Sequence, residues 1–262
     1  MSEAYYLPLD GPGGERFVAT TATTGPWSAD AQHAGPPSAL LVRAVERCAP
    51  RPELQLTRFS VDVLGPVPLG EITVRAAVER GGRGVELVAA ELTAGGRAVL
   101  RARAWRTARS DTTQSAGPPV DLLPGPDGLV PQGELEPQWR CGFLDSVEWR
   151  WIKSGWGEPG DGAVWARPRL PLLAGEPTSA TQRVTMVADC GNGISGQLDL
   201  REWLYANVDL TIHLHREHTG EWVGLDARTV IGPTGAGTAV STLSDLTGPV
   251  GHGAQALVVR RR

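Results

Sequence analysis

Three cysteines, three tyrosines, three phenylalanines and two methionines are all that 262 residues hold of those types. Cys48, Cys141 and Cys190 are odd in number and have no paired spacing, which argues against a disulfide framework or a zinc knuckle and suits a reducing compartment. No apolar run is long enough to span a bilayer. The opening MSEAYYLPLDGPGG also lacks the charged-then-apolar pattern of an export leader, so a cytoplasmic protein with no membrane partner is expected. Basic charge is not in excess: a net charge of -4 leaves no footprint for nucleic acid. Against these shortages stands one surplus. Nine tryptophans imply a broad apolar groove or interface.

Two kinds of material alternate along the chain. A strand over Glu15 to Thr20 and a loop with Gly25, Pro26 and Trp27 precede a helix that opens at Gly35. Leu40, Leu41, Ala44, Val45 and Cys48 form its buried stripe, Arg43, Glu46 and Arg47 its wet side, and Pro50 and Pro52 stop it. Strands follow over 54–64, 72–78, 85–93 and 98–106, separated by Gly-rich turns. Thr107 to Pro137 is rich in Pro, Gly, Ser and Asp and reads as a linker. The expected organisation is therefore one unit over 1–106, a linker over 107–137 and a second unit over 138–262. Beyond the linker, strands recur at 147–151, 163–167, 221–231, 238–245 and 254–261.

The halves repeat. Leu69-Gly70-Glu71 and Thr219-Gly220-Glu221 stand 150 residues apart, each ahead of a strand. The same shift lays Phe59 to Leu64 on Asp209 to Leu214, and the helix around Ala39 on the helix around Asp189. Strand, helix and a run of antiparallel strands, twice over, predict an α+β double hotdog, each helix wrapped by an antiparallel sheet.

The organising stretch is Pro177 to Arg216. Ser179 and Gln182 make a capping box, Ala180, Val184, Val187 and Ala188 share one face, and Gly191 is expected to close the helix in a left-handed conformation. Asp189 falls in the last turn, where the negative end of the helix dipole disfavours a carboxylate; an acid held there is a candidate working group. Asn207, Asp209, Thr211, His213 and His215 then alternate with Val208, Leu210, Ile212 and Leu214, a strand with one polar and one apolar face.

GPWSADAQHAGPPSALLVRAVE and VLGPVPLGE resemble the N-terminal half of the acyl-CoA thioesterase II (TesB-like) family. ADCGNGIS, ANVDLTIHLHRE and GHGAQALVVRR resemble its C-terminal half. The resemblance implies a thioester hydrolase of fatty acid metabolism that needs no cofactor and no metal, takes an acyl-CoA substrate and forms a homo-oligomer. It also implies attack by water without a covalent intermediate, the water held by an Asp, a Gln and a Thr. Those roles fall on Asp189, Gln255 and Asn207, the last a departure because Asn cannot relay a proton through a hydroxyl. The family's Gly-Gly pair is Ala34-Gly35 here, so the Gly35 amide, with His33 beside it, is expected near the substrate carbonyl. Trp27 and Trp203 are the candidates for an acyl tunnel.

Each residue also has a plain reading. Asp189 could be an exposed helix end, and Asn207 and Asp209 solvated strand residues. His213, His215 and His218 have no converging Cys or carboxylate cluster for a metal. The repeat is asymmetric, because Ala39 occupies the position equivalent to Asp189, so one composite site per chain is expected where the two helices meet. The rival readings are a hotdog protein that binds acyl-CoA without cleaving it, and a tailoring enzyme of secondary metabolism acting on a carrier-bound acyl thioester.

Overall fold

The computed structural model describes residues 2–10, 15–117 and 122–262. Parts of the opening segment and of the expected linker (118–121) lie outside the described residues. The first half runs β1 (Tyr6–Pro8), β2 (Arg16–Ala19), β3 (Thr24–Gly25), β4 (Ser28–Gln32) and α1 (Gly35–Arg47). It continues as β5 (Leu54–Val63), β6 (Gly70–Arg80), β7 (Val85–Ala94) and β8 (Arg97–Ala108). The second half opens with α2 (Gly142–Asp145), β9 (Val147–Lys153), β10 (Gly162–Pro168), α3 (Ala180–Ala188) and α4 (Gly191–Ile194). Then come β11 (Trp203–Asn207), β12 (Asp209–Leu214), β13 (Val223–Ile231), β14 (Ala236–Asp245) and β15 (Gly248–Arg261).

Apart from the β3–β4 hairpin, the strands form one antiparallel sheet in the order β1-β2-β6-β7-β8-β5-β12-β15-β14-β13-β10-β9, with β11 also on β15. Read outward from its centre, the sheet repeats itself: β5, β8, β7, β6, β2 on one side, β12, β15, β14, β13, β10 on the other. The seam carries the same symmetry, since Phe59 pairs with Ile212 and Asp62 with Asp209. Each partner is the repeat equivalent of the other pair's member. This is a double hotdog.

The two helices lie back to back inside the curl of the sheet, α1 against α3. Burial alternates along most of β14 and β15, placing one face of each strand on the core. The wet face expected for α1 is a different matter. Arg43 is buried and makes a two-pronged bond to Glu176 (2.8 and 2.7 Å) in the segment before α3. Glu46 accepts from Ser179 Oγ (2.7 Å) and Gln182 Nε2 (2.6 Å), the two capping-box residues of α3. Both charges are spent joining the helices; only Arg47 reaches solvent.

Among the described residues, the only named strand in the expected linker is the end of β8 at Thr107 and Ala108, yet the linker's second half is docked. Gln132 bonds the backbone of Trp149 and the indole of Trp151, and the Trp165 indole donates to Pro124 O (2.6 Å). No helix among the described residues is long and apolar enough to cross a membrane.

Candidate active site

Ser179 accepts from the Gln182 amide and Gln182 returns the bond, so α3 starts with both orphan donors satisfied. Its far end carries Asp189 as the capping residue, only 3% exposed. Gly191 does not turn left-handed there as expected. The chain re-enters helix as α4, and Gly191 serves another purpose: a Cβ on it would stand 2.7 Å from Gln255 Oε1. That closeness lets the Gln255 amide clamp the turn. Its Oε1 accepts from Asn192 N (3.0 Å) and its Nε2 donates to the Asp189 backbone carbonyl (3.1 Å).

Asn207 comes from the end of β11. The alternation over 207–215 breaks at once, because Asn207 pairs with Leu257 while Thr211 pairs with Ala254: four steps on one strand against three on the other. This bulge leaves Val208 exposed and turns Asn207 inward. Asn207 Nδ2 donates to Asp189 Oδ1 at 2.9 Å.

The other carboxylate oxygen faces the first half of the chain. Asp189 Oδ2 lies 3.0 Å from His33 Nδ1. His33 is fixed by its own amide, which donates to Thr23 O (2.8 Å), and by its ring, which stacks on Phe143 of α2 at 4.5 Å. The Gly35 amide also approaches Nδ1, at 3.1 Å. One nitrogen cannot serve both neighbours alike. A proton on Nδ1 donates to Asp189, whereas a bare Nδ1 accepts from Gly35 and leaves the proton on the carboxyl. The ring's second nitrogen, Nε2, lies 4.0 Å from Cys190 Sγ. Burial drives the Cys190 thiol well above its ordinary value, and the neighbouring Asp189 charge adds to the effect.

These groups border a cavity of about 250 Å³ whose lining includes Trp27, His33, Trp139, Trp156, Asp189, Cys190, Tyr205 and Asn207. Residues of both halves meet in it. A search of curated proteins finds no match. Models of the acyl-CoA thioesterase N-terminal and C-terminal domains match residues 23–107 and 126–259. The chain belongs to the acyl-CoA thioesterase family. The fold agrees with solved structures across nearly its whole length. A protein of unknown function with a hot dog fold from Alicyclobacillus acidocaldarius superposes with a TM-score of 0.76 at 13% identity, covering 98% of this chain and 97% of that one. The tesB protein of Mycobacterium avium subs paratuberculosis gives 0.68 at 16% identity (95% and 94%). Acyl-CoA thioesterase II TesB2 of Mycobacterium marinum gives 0.68 at 14% identity (95% and 92%).

Within this family member, the sequence candidates divide. Asp189, Asn207 and His33 meet, and Trp27 lines the cavity edge-on to Tyr205 (5.9 Å). Gln255 does not line the cavity; its amide bonds the backbone at both ends, so it braces the turn behind Asp189 with one N–H and one lone pair to spare. Gly35 is likewise absent from the lining: its amide is aimed at the imidazole, and a Cβ there would sit 2.4 Å from Met186 O of α3. Trp203 lies outside the cavity, under the Arg261 guanidinium at 5.0 Å. Sequence reading missed Trp139, Trp156, Tyr205 and Phe143. Only the tryptophan surplus signalled them, without saying which ones.

Proposed function

We propose that the protein hydrolyses an acyl-CoA thioester to a carboxylic acid and CoA, with water activated by His33. The supporting observation is the hydrogen-bonded series Asn207–Asp189–His33, which runs from one half of the chain to the other and ends at an imidazole that lines the cavity. Both oxygens of Asp189 are engaged, one by Asn207 and one by His33, which leaves the carboxylate better suited to orienting the ring than to taking a proton from water. With its proton on Nδ1 and shared with Asp189, the ring offers the Nε2 lone pair to a water molecule. Water attacks the thioester carbonyl as its proton passes to Nε2. Collapse of the tetrahedral adduct breaks the C–S bond, and the thiolate takes the proton back from the ring.

Asn207 fits this role without a hydroxyl, since it donates to the carboxylate and relays nothing. That observation favours hydrolysis over the non-cleaving reading. Release of free thiol from a panel of acyl-CoA esters tests the proposal. His33→Ala and Asp189→Ala should each lower kcat/KM by about 10²- to 10⁴-fold, and unchanged rates in both would remove it. Parallel assays with CoA and carrier-protein thioesters of the same acyl group identify the carrier.

A further inference from the structure

The cavity is small, and its wall carries Trp27, Trp139, Trp156 and Tyr205 beside aliphatic Val63, Val67, Leu144 and Leu204. An apolar cavity of about 150 Å³ holds benzene, so 250 Å³ accommodates about ten non-hydrogen atoms at the same packing. A benzoyl or phenylacetyl group falls within that number. A sixteen-carbon acyl chain does not.

Trp156 is the centre of the wall. Its ring lies 5.2 Å from Trp139, 5.1 Å from Trp149 and 5.7 Å from Trp151, the last two edge-on. Three tryptophans thus fix the position of a fourth, and Trp139 and Trp156 both border the cavity. Across the space, Trp27 stands edge-on to Tyr205. Rigid aromatic walls favour an aromatic guest, because offset and edge-on ring contacts add to simple burial and a ring loses few rotamers on binding.

Resting on the thioesterase reading, we infer that the substrate is a compact arylacyl thioester of benzoyl to phenylacetyl size, and that Trp156 is the residue selecting it. Two measurements test this. In the first, free-thiol release is compared for phenylacetyl-, benzoyl-, hexanoyl- and palmitoyl-CoA. The arylacyl esters should exceed hexanoyl-CoA by about tenfold in kcat/KM, with palmitoyl-CoA the poorest. In Trp156→Leu, which removes the ring from the wall, the aryl-over-hexanoyl ratio should fall about three- to tenfold. Palmitoyl-CoA cleaved as fast as phenylacetyl-CoA, or an unchanged ratio in the variant, would overturn the inference and leave hydrolysis standing.

The second measurement does not depend on hydrolysis. Phenethyl-CoA and hexadecyl-CoA, thioethers with no scissile carbonyl, are titrated against tryptophan fluorescence. Tighter binding of phenethyl-CoA supports the arylacyl site even if no ester is cleaved, and equal or weaker binding sinks it.

Discussion

Asp189, Cys190 and Gly191 follow one another in the chain and do three unrelated things. The aspartate orients His33, the glycine makes room for the Gln255 amide, and the cysteine fills the space beside the ring nitrogen. A cysteine so placed raises the question of a covalent route. The nucleophile is the thiolate, and burial pushes the Cys190 thiol well above its ordinary value, which disfavours that form. Cys190→Ala should therefore keep at least about a third of wild-type turnover, and intact-mass spectrometry during turnover should show no acylated protein. A stable acyl adduct, lost in the variant, would reverse this. The sequence offered Asp189 through its position at the negative end of a helix and Asn207 through its place on a polar strand face. It could not tell that the Gln255 amide would bond backbone groups on both sides of the turn, since that depends on where a distant strand crosses the α3–α4 turn.

At the level of single elements, the helices were the most legible parts. The capping box at Ser179 is formed as its spacing predicts, and α1 begins at Gly35. What spacing could not convey was the partner. A helix read by itself needs a wet face for Arg43 and Glu46; a helix paired with α3 uses both as cross-links. Ser179 holds two jobs, capping α3 and donating to Glu46. Ser179→Ala should destabilise the protein by about 1–2 kcal/mol, measured by denaturant unfolding, and the effect should shrink in a Glu46→Gln background, where part of the network is already gone. The strand over 207–215 shows the opposite limit. Period-two patterning located it, but the bulge at Val208 is one extra residue and leaves no mark on hydrophobicity.

On the scale of the whole molecule, the repeat was readable because a constant offset of 150 survives in turn residues and strand phase alike. It predicted the wrapped helices; the order in which the strands lie side by side comes from the structure. The docking of 124–137 onto the second half was not readable, since Pro- and Gly-rich chain carries no periodicity to announce its contacts. Stability should depend on pH through Asp245, which joins β14 to the β12–β13 connection. Its carboxylate is fully buried and receives two bonds from Arg216 (2.6 and 2.7 Å) as well as donors from Thr219 and Thr247. Burial by itself would raise its pKa, but these donors outweigh that and hold it below the ordinary 3.8. A depressed acid contributes stability that is present above its unfolded value and lost as pH falls through the folded one. Asp245→Asn should thus lower unfolding free energy by about 2–4 kcal/mol at pH 7. The gap to wild type should close in acid below about pH 4, a trend that thermal melts across pH would reveal.

The pairing of Phe59 with Ile212 and Asp62 with Asp209 joins the halves along a strand-to-strand seam at the middle of the sheet. The imidazole is anchored on one side of that seam and its carboxylate partner on the other. Neither half contains the whole Asn207–Asp189–His33 set, so a change that shears the seam by one residue would break the proposed arrangement while leaving each of its side chains intact. Duplication here did not yield two workshops; it yielded one bench whose tools are kept in separate rooms.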